Sequence, residues 1–221
     1  SVTANDPDGT IPTESYEWQD ASGNVIGTTS SLNLSTTTVA SLDTIYCYAT
    51  ISDGFATATD SFNVAVGDQA GKRITTGVKN TLIGARAGDA LTDADFNTAI
   101  GEQALSADTL GSRSTAIGFA TLSAQNFTTA TDAYNVAIGH GAGGSVTTGT
   151  QNTLIGGLAG DALTTGTQNV AIGYDALGSE DTASHNVAIG REALKTQDGA
   201  EYNVAVGRTA GMLITVGEGN T

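Results

Sequence analysis

Asn135-Val136-Ala137-Ile138-Gly139 returns unchanged at Asn169–Gly173 and Asn186–Gly190. Altered copies begin at Asn63, Asn80, Asn97, Ser114, Asn152 and Asn203. Successive starts lie 17 residues apart, except for one step of 21 after Ser114. Another 17 from Asn203 falls on Asn220, where Asn-Thr ends the sequence. Nine units and the opening of a tenth are therefore expected over 63–221, and the chain reads as a stretch of a longer molecule. A fixed period of this kind is the signature of stacked supersecondary units.

Each position of the unit carries a physical demand. The first is Asn in every copy but Ser114 (Asn63, Asn80, Asn97, Asn135, Asn152, Asn169, Asn186, Asn203), and stacked amides can hydrogen-bond from unit to unit. The fourth is always Ile or Val, Ile138 among them, which calls for a buried β-branched side chain on a strand. The fifth is glycine throughout (Gly67, Gly84, Gly101, Gly118, Gly139, Gly156, Gly173, Gly190, Gly207), as needed where a chain turns sharply or another backbone comes close. The eighth is Ala except at Thr121, which suggests tightly packed walls.

The apolar phrase is too short for a helix, and Gly- and Thr-rich residues follow it. The expected fold class is all-β: a parallel β-solenoid of 17-residue coils, each needing its neighbours. At about 4.8 Å per coil the nine coils make a rod of roughly 43 Å. One Ile per coil is a thin core, so several chains are expected to associate along the rod. The ninth position reads Gly, Gly, Leu, Leu, Gly, Gly, Leu, Leu, Gly, and NTLIGARAGDALT at Asn80–Thr92 is nearly repeated at Asn152–Thr164. Blocks of four units look duplicated.

Residues 1–62 are a different material. They hold the only Trp, both Pro residues, eight acids and no Lys or Arg. Short alternating runs separated by turn signals read as a small antiparallel sandwich. Asp6-Pro-Asp8-Gly, Tyr16-Glu-Trp18, the turn at Gly23, Ser30-Ser-Leu32 and Ser52-Asp-Gly54 resemble bacterial and phage immunoglobulin-like domains. The resemblance implies that Trp18 packs near Cys47 across the sandwich, with the first strand missing and without the paired cysteine of antibody domains. Asp6 and Asp8 are weak calcium-ligand candidates, and a plain turn is the simpler reading.

The units over 63–221, of the type Asn-x-Ala-Ile-Gly-x-x-Ala-Leu, resemble the head repeats of trimeric autotransporter adhesins and still more the repeats of phage tail-fibre and related virion proteins. In the adhesins such repeats form a left-handed parallel β-roll of three chains side by side. The resemblance therefore implies a homotrimeric fibre protein on a virion or cell surface. Its role would be structural and adhesive, with adjoining fibre or virion proteins and a host-surface glycan or protein as partners. The 17-residue coil is longer than the usual adhesin coil. A bacterial surface adhesin or extracellular filament subunit is the runner-up. A polysaccharide depolymerase ranks third and predicts acids clustered on adjoining coils.

Composition narrows the field further. The net charge of −15 disfavours nucleic acid and anionic membrane surfaces as partners. No apolar run long enough to cross a bilayer is present. Cys47 is the single cysteine, so a disulfide scaffold is excluded. His140 and His185 occupy variable positions without metal-ligand spacing, and Gly67–Arg73 (GDQAGKR) lacks the spacing of a phosphate loop. No cofactor, resident metal or enzymatic activity is expected. The extra four residues of the fourth unit fall within Gln125–Tyr134. A loop bulging there makes Asn126, Phe127 and Tyr134 a candidate contact loop, beside the reading of a tolerated insertion.

Overall fold

The computed structural model describes residues 63–179, 182–196, 199–214 and 217–221, together with the strands 13–19, 25–27 and 46–52. The chain divides into two compact units, Ser1–Asp60 and Ser61–Thr221. No helix occurs among the described residues.

In the first unit, β1 (Thr13–Gln19), β2 (Val25–Gly27) and β3 (Tyr46–Ser52) form an antiparallel sheet in the order β2-β1-β3. Trp18 and Cys47 are direct partners on β1 and β3. They are neighbours within one sheet, which corrects the expectation that they meet across a sandwich. The two strands that carry them hydrogen-bond to each other, so no layer separates them. Asp6 and Asp8 lie outside the described residues.

The second unit is a parallel β-solenoid. Every coil contributes one three-residue strand to a nine-stranded parallel sheet: β4 (Val64–Val66), β5 (Thr81–Ile83), β6 (Thr98–Ile100), β8 (Thr115–Ile117), β10 (Val136–Ile138), β11 (Thr153–Ile155), β12 (Val170–Ile172), β13 (Val187–Ile189) and β14 (Val204–Val206). Equivalent positions pair without slip, as in Ile138 with Ile117 below and Ile155 above. A smaller parallel pair, β7 (Gly111–Ser112) with β9 (Thr131–Asp132), lies beside the insertion.

The strands turn the opposite face inward from the one expected. Position three is the buried one: Leu82, Ala99, Ala116, Ala137, Leu154, Ala171 and Ala188 are fully enclosed. The β-branched residues of position four face outward; Ile83 and Ile138 are 39% and 36% exposed. Side chains alternate along a strand, so positions two and four share the outer face. Position two is Thr in four of the nine coils, which suits a wet face and not a core.

Past the strand, the chain folds into consecutive tight turns. In the first coil the amides of Ala70, Lys72 and Ile74 bond to the carbonyls of Gly67, Gln69 and Gly71. Glycine at position five is required twice over. At Gly139 φ is +134°, and a Cβ there would lie 2.5 Å from the carbonyl oxygen of Gly156.

Positions three, eight, nine and twelve fill the interior. Large apolar side chains at nine and twelve exclude each other. Where nine is Gly, twelve is Ile74, Leu91, Val146, Leu163 or Ile214; where nine is Leu105 or Leu122, twelve is Asp108 or Gln125. A Cβ on Gly88 would sit 2.8 Å from methyl carbons of both Leu82 and Leu91. The ninth-position pattern is therefore also a packing rule: one large apolar side chain enters each coil from one of two directions.

The asparagine column behaves as a ladder. Asn152 Oδ1 accepts from the backbone N–H of Asn169 at 3.0 Å, while its Nδ2 donates to the Gly166 carbonyl at 2.9 Å. The same pair of bonds recurs at Asn80, Asn135, Asn169, Asn186 and Asn203. Each amide thus closes a corner of its own coil and holds the start of the next, satisfying polar groups that would otherwise be buried unpaired.

Candidate interaction face of the shaft

The outer face of the sheet has two columns, positions two and four, of Val, Ile and Thr. Position seventeen, just before the Asn, takes left-handed backbone (φ +59° at Phe96), and position six follows the glycine of φ near +134°, so these two positions bound the strand at its corners. There rings and cations collect.

On the position-seventeen edge, Lys79, Phe96, Arg113 and Tyr134 stack in consecutive coils. The Lys79 ammonium lies 4.9 Å and the Arg113 guanidinium 4.6 Å from the Phe96 ring centre, and Arg113 lies 5.9 Å from that of Tyr134. Arg113 is also paired with Asp132 at 3.0 Å. Further along the same edge His185 and Tyr202 stack at 4.6 Å. On the position-six edge Phe119 stacks on His140 at 5.2 Å, and Arg191 lies 5.7 Å from the Tyr174 ring. Such contacts contribute about 0.5–1 kcal/mol each at exposed sites. Both histidines thus serve as flat partners for rings.

The strand and its two corners are also electrically distinct. Positions two, four, six and seventeen hold Lys79, Arg113, Arg191 and Arg208, four of the chain's eight cations, but only Asp68 and Glu102 of the fifteen acids beyond residue 62. Asp132 and Glu192 pair with Arg113 and Arg191 from neighbouring positions. Sequence reading missed this distribution because it scored each repeat position singly; tallying charge by position would have exposed it.

On the turn side, Lys195 bonds Asp175 at 2.5 Å and lies 3.8 Å from Glu192, an adjoining-coil cluster that Asp161 borders. Burial, and then the Asp175 charge, push the Asp161 carboxyl above its ordinary value, and Asp175 in turn holds the Lys195 ammonium above its own. Among the described residues, no group of three or more His, Cys, Asp or Glu could hold a metal ion.

The insertion is built around a buried carboxylate. Asp108 Oδ1 accepts from the backbone N–H groups of Gly111 and Phe127 at 3.0 and 3.1 Å, and Oδ2 accepts from Gln125 Nε2 at 2.6 Å. This pulls Phe127 inward to 6% exposure. Of the candidate contact residues, Asn126 and Tyr134 are exposed and Phe127 is not. The bulge leaves the main sheet uninterrupted, since β8 pairs directly with β10.

No family model matches the chain, and no curated protein or solved structure does so either.

Proposed function

We propose that the second unit is a shaft segment of an extracellular or virion fibre, assembled from three copies side by side along the sheet. The observation that carries this reading is the outward column of Val and Ile on an unbroken nine-stranded sheet. Burying a fully exposed side chain of this kind contributes about 1.5–3 kcal/mol, and covering what is still exposed of Ile83, Ile138 and their neighbours contributes a part of that at successive coils. A lone chain leaves that energy unused.

The first unit reads as an immunoglobulin-like module. In that sandwich the strand with the buried Trp lies in one sheet with the strand bearing the second half of the usual disulfide. The order β2-β1-β3, with Trp18 beside Cys47, supports the same arrangement here. The role is mechanical and adhesive: spacing or presenting an element that recognises a host surface. In this reading the shaft is not an enzyme, and Asp175 and Glu192 are occupied by Lys195. A bacterial surface adhesin or filament subunit would use the same shaft at a different location.

Light scattering tests the assembly. A particle of three times the 22.1 kDa chain mass is expected, and a monomer over the micromolar range would overturn it. Gold-labelled antibodies against the shaft test its place. Labelled fibres projecting from virions support the first reading, labelled cell surfaces support the runner-up, and label on neither removes both.

A further inference from the structure

We infer that the corner of the shaft beside the insertion is a binding site for an uncharged sugar, built from Phe96, Arg113, Asp132 and Tyr134. The inference takes its setting from the fibre reading proposed above. It adds that the shaft itself carries a recognition site, and it names the class of ligand.

These side chains are held in place before any ligand arrives. The Arg113 guanidinium stands 4.6 Å from the Phe96 ring centre and 5.9 Å from that of Tyr134. Its Nε donates to Asp132 Oδ1 at 3.0 Å, and Tyr134 Oη donates to Asp132 Oδ2 at 3.3 Å. Asp132 is fixed in turn, because β9 pairs with β7 and the Ala133 amide bonds the Ser112 carbonyl. The insertion that delivers Asp132 and Tyr134 is pinned by the buried Asp108 carboxylate. Groups ordered beforehand lose little freedom on binding, and that loss is what most weakens the capture of a small polar ligand.

The corner offers planar groups of both polarities. Among the described residues nothing bonds the terminal nitrogens of Arg113, so they keep N–H groups to donate, and the Asp132 oxygens keep lone pairs to accept. A donor fork beside a carboxylate suits two neighbouring sugar hydroxyls, each of which both donates and accepts. Bonds to charged groups are the stronger ones. Tyr134 is 50% exposed, and its ring is an apolar surface for the C–H groups of a sugar. Thr128 and Thr129 bring exposed hydroxyls on the same loop.

Charge and composition sort the ligands. Arg113 and Asp132 cancel, so the pair is neutral in a chain of net charge −15. Lys79 lies one coil further off, against Phe96. An anion at Arg113 would meet Asp132 and the surplus negative charge of the chain. A protein partner needs an apolar centre to its contact, and the exposed tip of the loop is Thr128, Thr129 and Ala130. An uncharged polyol meets neither obstacle.

Saturation-transfer NMR on the full chain tests the site with the methyl glycosides of glucose, galactose, mannose and N-acetylglucosamine, and with methyl glucuronide as a charged probe. A shallow site and a ligand of about a dozen heavy atoms put the expected affinity in the millimolar range. At least one neutral glycoside should take up saturation. Tyr134→Ala and Asp132→Asn should each weaken its binding about five- to tenfold, while Arg191→Ala at the other corner should leave it unchanged. Both site variants should keep the parent's circular dichroism spectrum, because both side chains are exposed. No transfer to any neutral glycoside would overturn the inference. So would a stronger response from the glucuronide, or binding that survives both site variants. Solution mass reads the assembly separately: a monomer that binds sugar keeps this site and removes the three-copy shaft, and a trimer that binds none does the reverse.

Discussion

Gln125 Oε1 accepts a hydrogen bond from Asn135 Nδ2 at 2.8 Å, filling the one break in the asparagine ladder. Ser114 stands where that column needs an amide, and its side chain is too short to reach. Gln125 comes from position twelve of the same coil, and its Nε2 donates to both Asp108 Oδ2 and Ser114 Oγ. Gln125→Ala is expected to lower stability by about 1–3 kcal/mol, because buried partners lose their bonds. Adding Ser114→Asn should recover part of the loss by returning an amide to the column. Urea unfolding of the two variants checks both steps; equal midpoints would show that the substitute amide contributes nothing.

Gly88→Ala places a methyl group against Leu82 and Leu91, at a backbone φ of +55°. Overpacking of this kind costs about 1–3 kcal/mol. Leu91→Ala in the same chain should relieve part of it, so the pair should couple in a double-mutant cycle. Gly139→Ala has no such remedy, because its obstruction is the backbone of Gly156. Thermal melts of the four variants separate a side-chain conflict from a backbone one. The Gly–Leu alternation at position nine was legible in the sequence as a pattern, read as duplication. Its packing meaning was not, because position twelve ranges from Ile, Leu and Val to Asp, Glu and Gln and shows its alternation only when set beside position nine.

Ala137→Asp and Ile138→Asp should behave in opposite ways. Ala137 is fully enclosed, so an unpaired charge there should disrupt the coil and lower its melting temperature. Ile138 is 36% exposed in one copy, so Ile138→Asp should keep the β-rich circular dichroism spectrum and instead shift the mass from trimer to monomer. A loss of fold in the second variant would place position four in the core after all. The period, the strand, the glycine turn and the amide ladder were all legible from residues 63–221. The inward face was not, because Ala137 and Ile138 are both apolar and alternation alone cannot say which side is dry. The signal was available at position two: Thr81, Thr98, Thr115 and Thr153 share Ile138's parity, and a column of hydroxyls marks the wet side.

Asp161 gives the pH dependence a defined sign. One of its carboxylate oxygens is enclosed with no hydrogen-bond partner. Burial and then the Asp175 charge raise its pKa above the ordinary value of 3.8, so the folded state holds this proton more tightly than the unfolded chain does. Its favourable contribution is full below that ordinary value and is lost as pH rises through the raised one. At neutral pH the ionised group therefore burdens the fold. Asp161→Asn should raise the melting temperature at pH 7, and the gain should shrink as the pH is lowered toward the ordinary carboxyl value. Melting curves from pH 3 to 7 measure this directly. A variant less stable than the parent at pH 7 would mean that the carboxylate is engaged rather than merely buried. The natural partner would then be Lys195, which already holds Asp175 from the next coil.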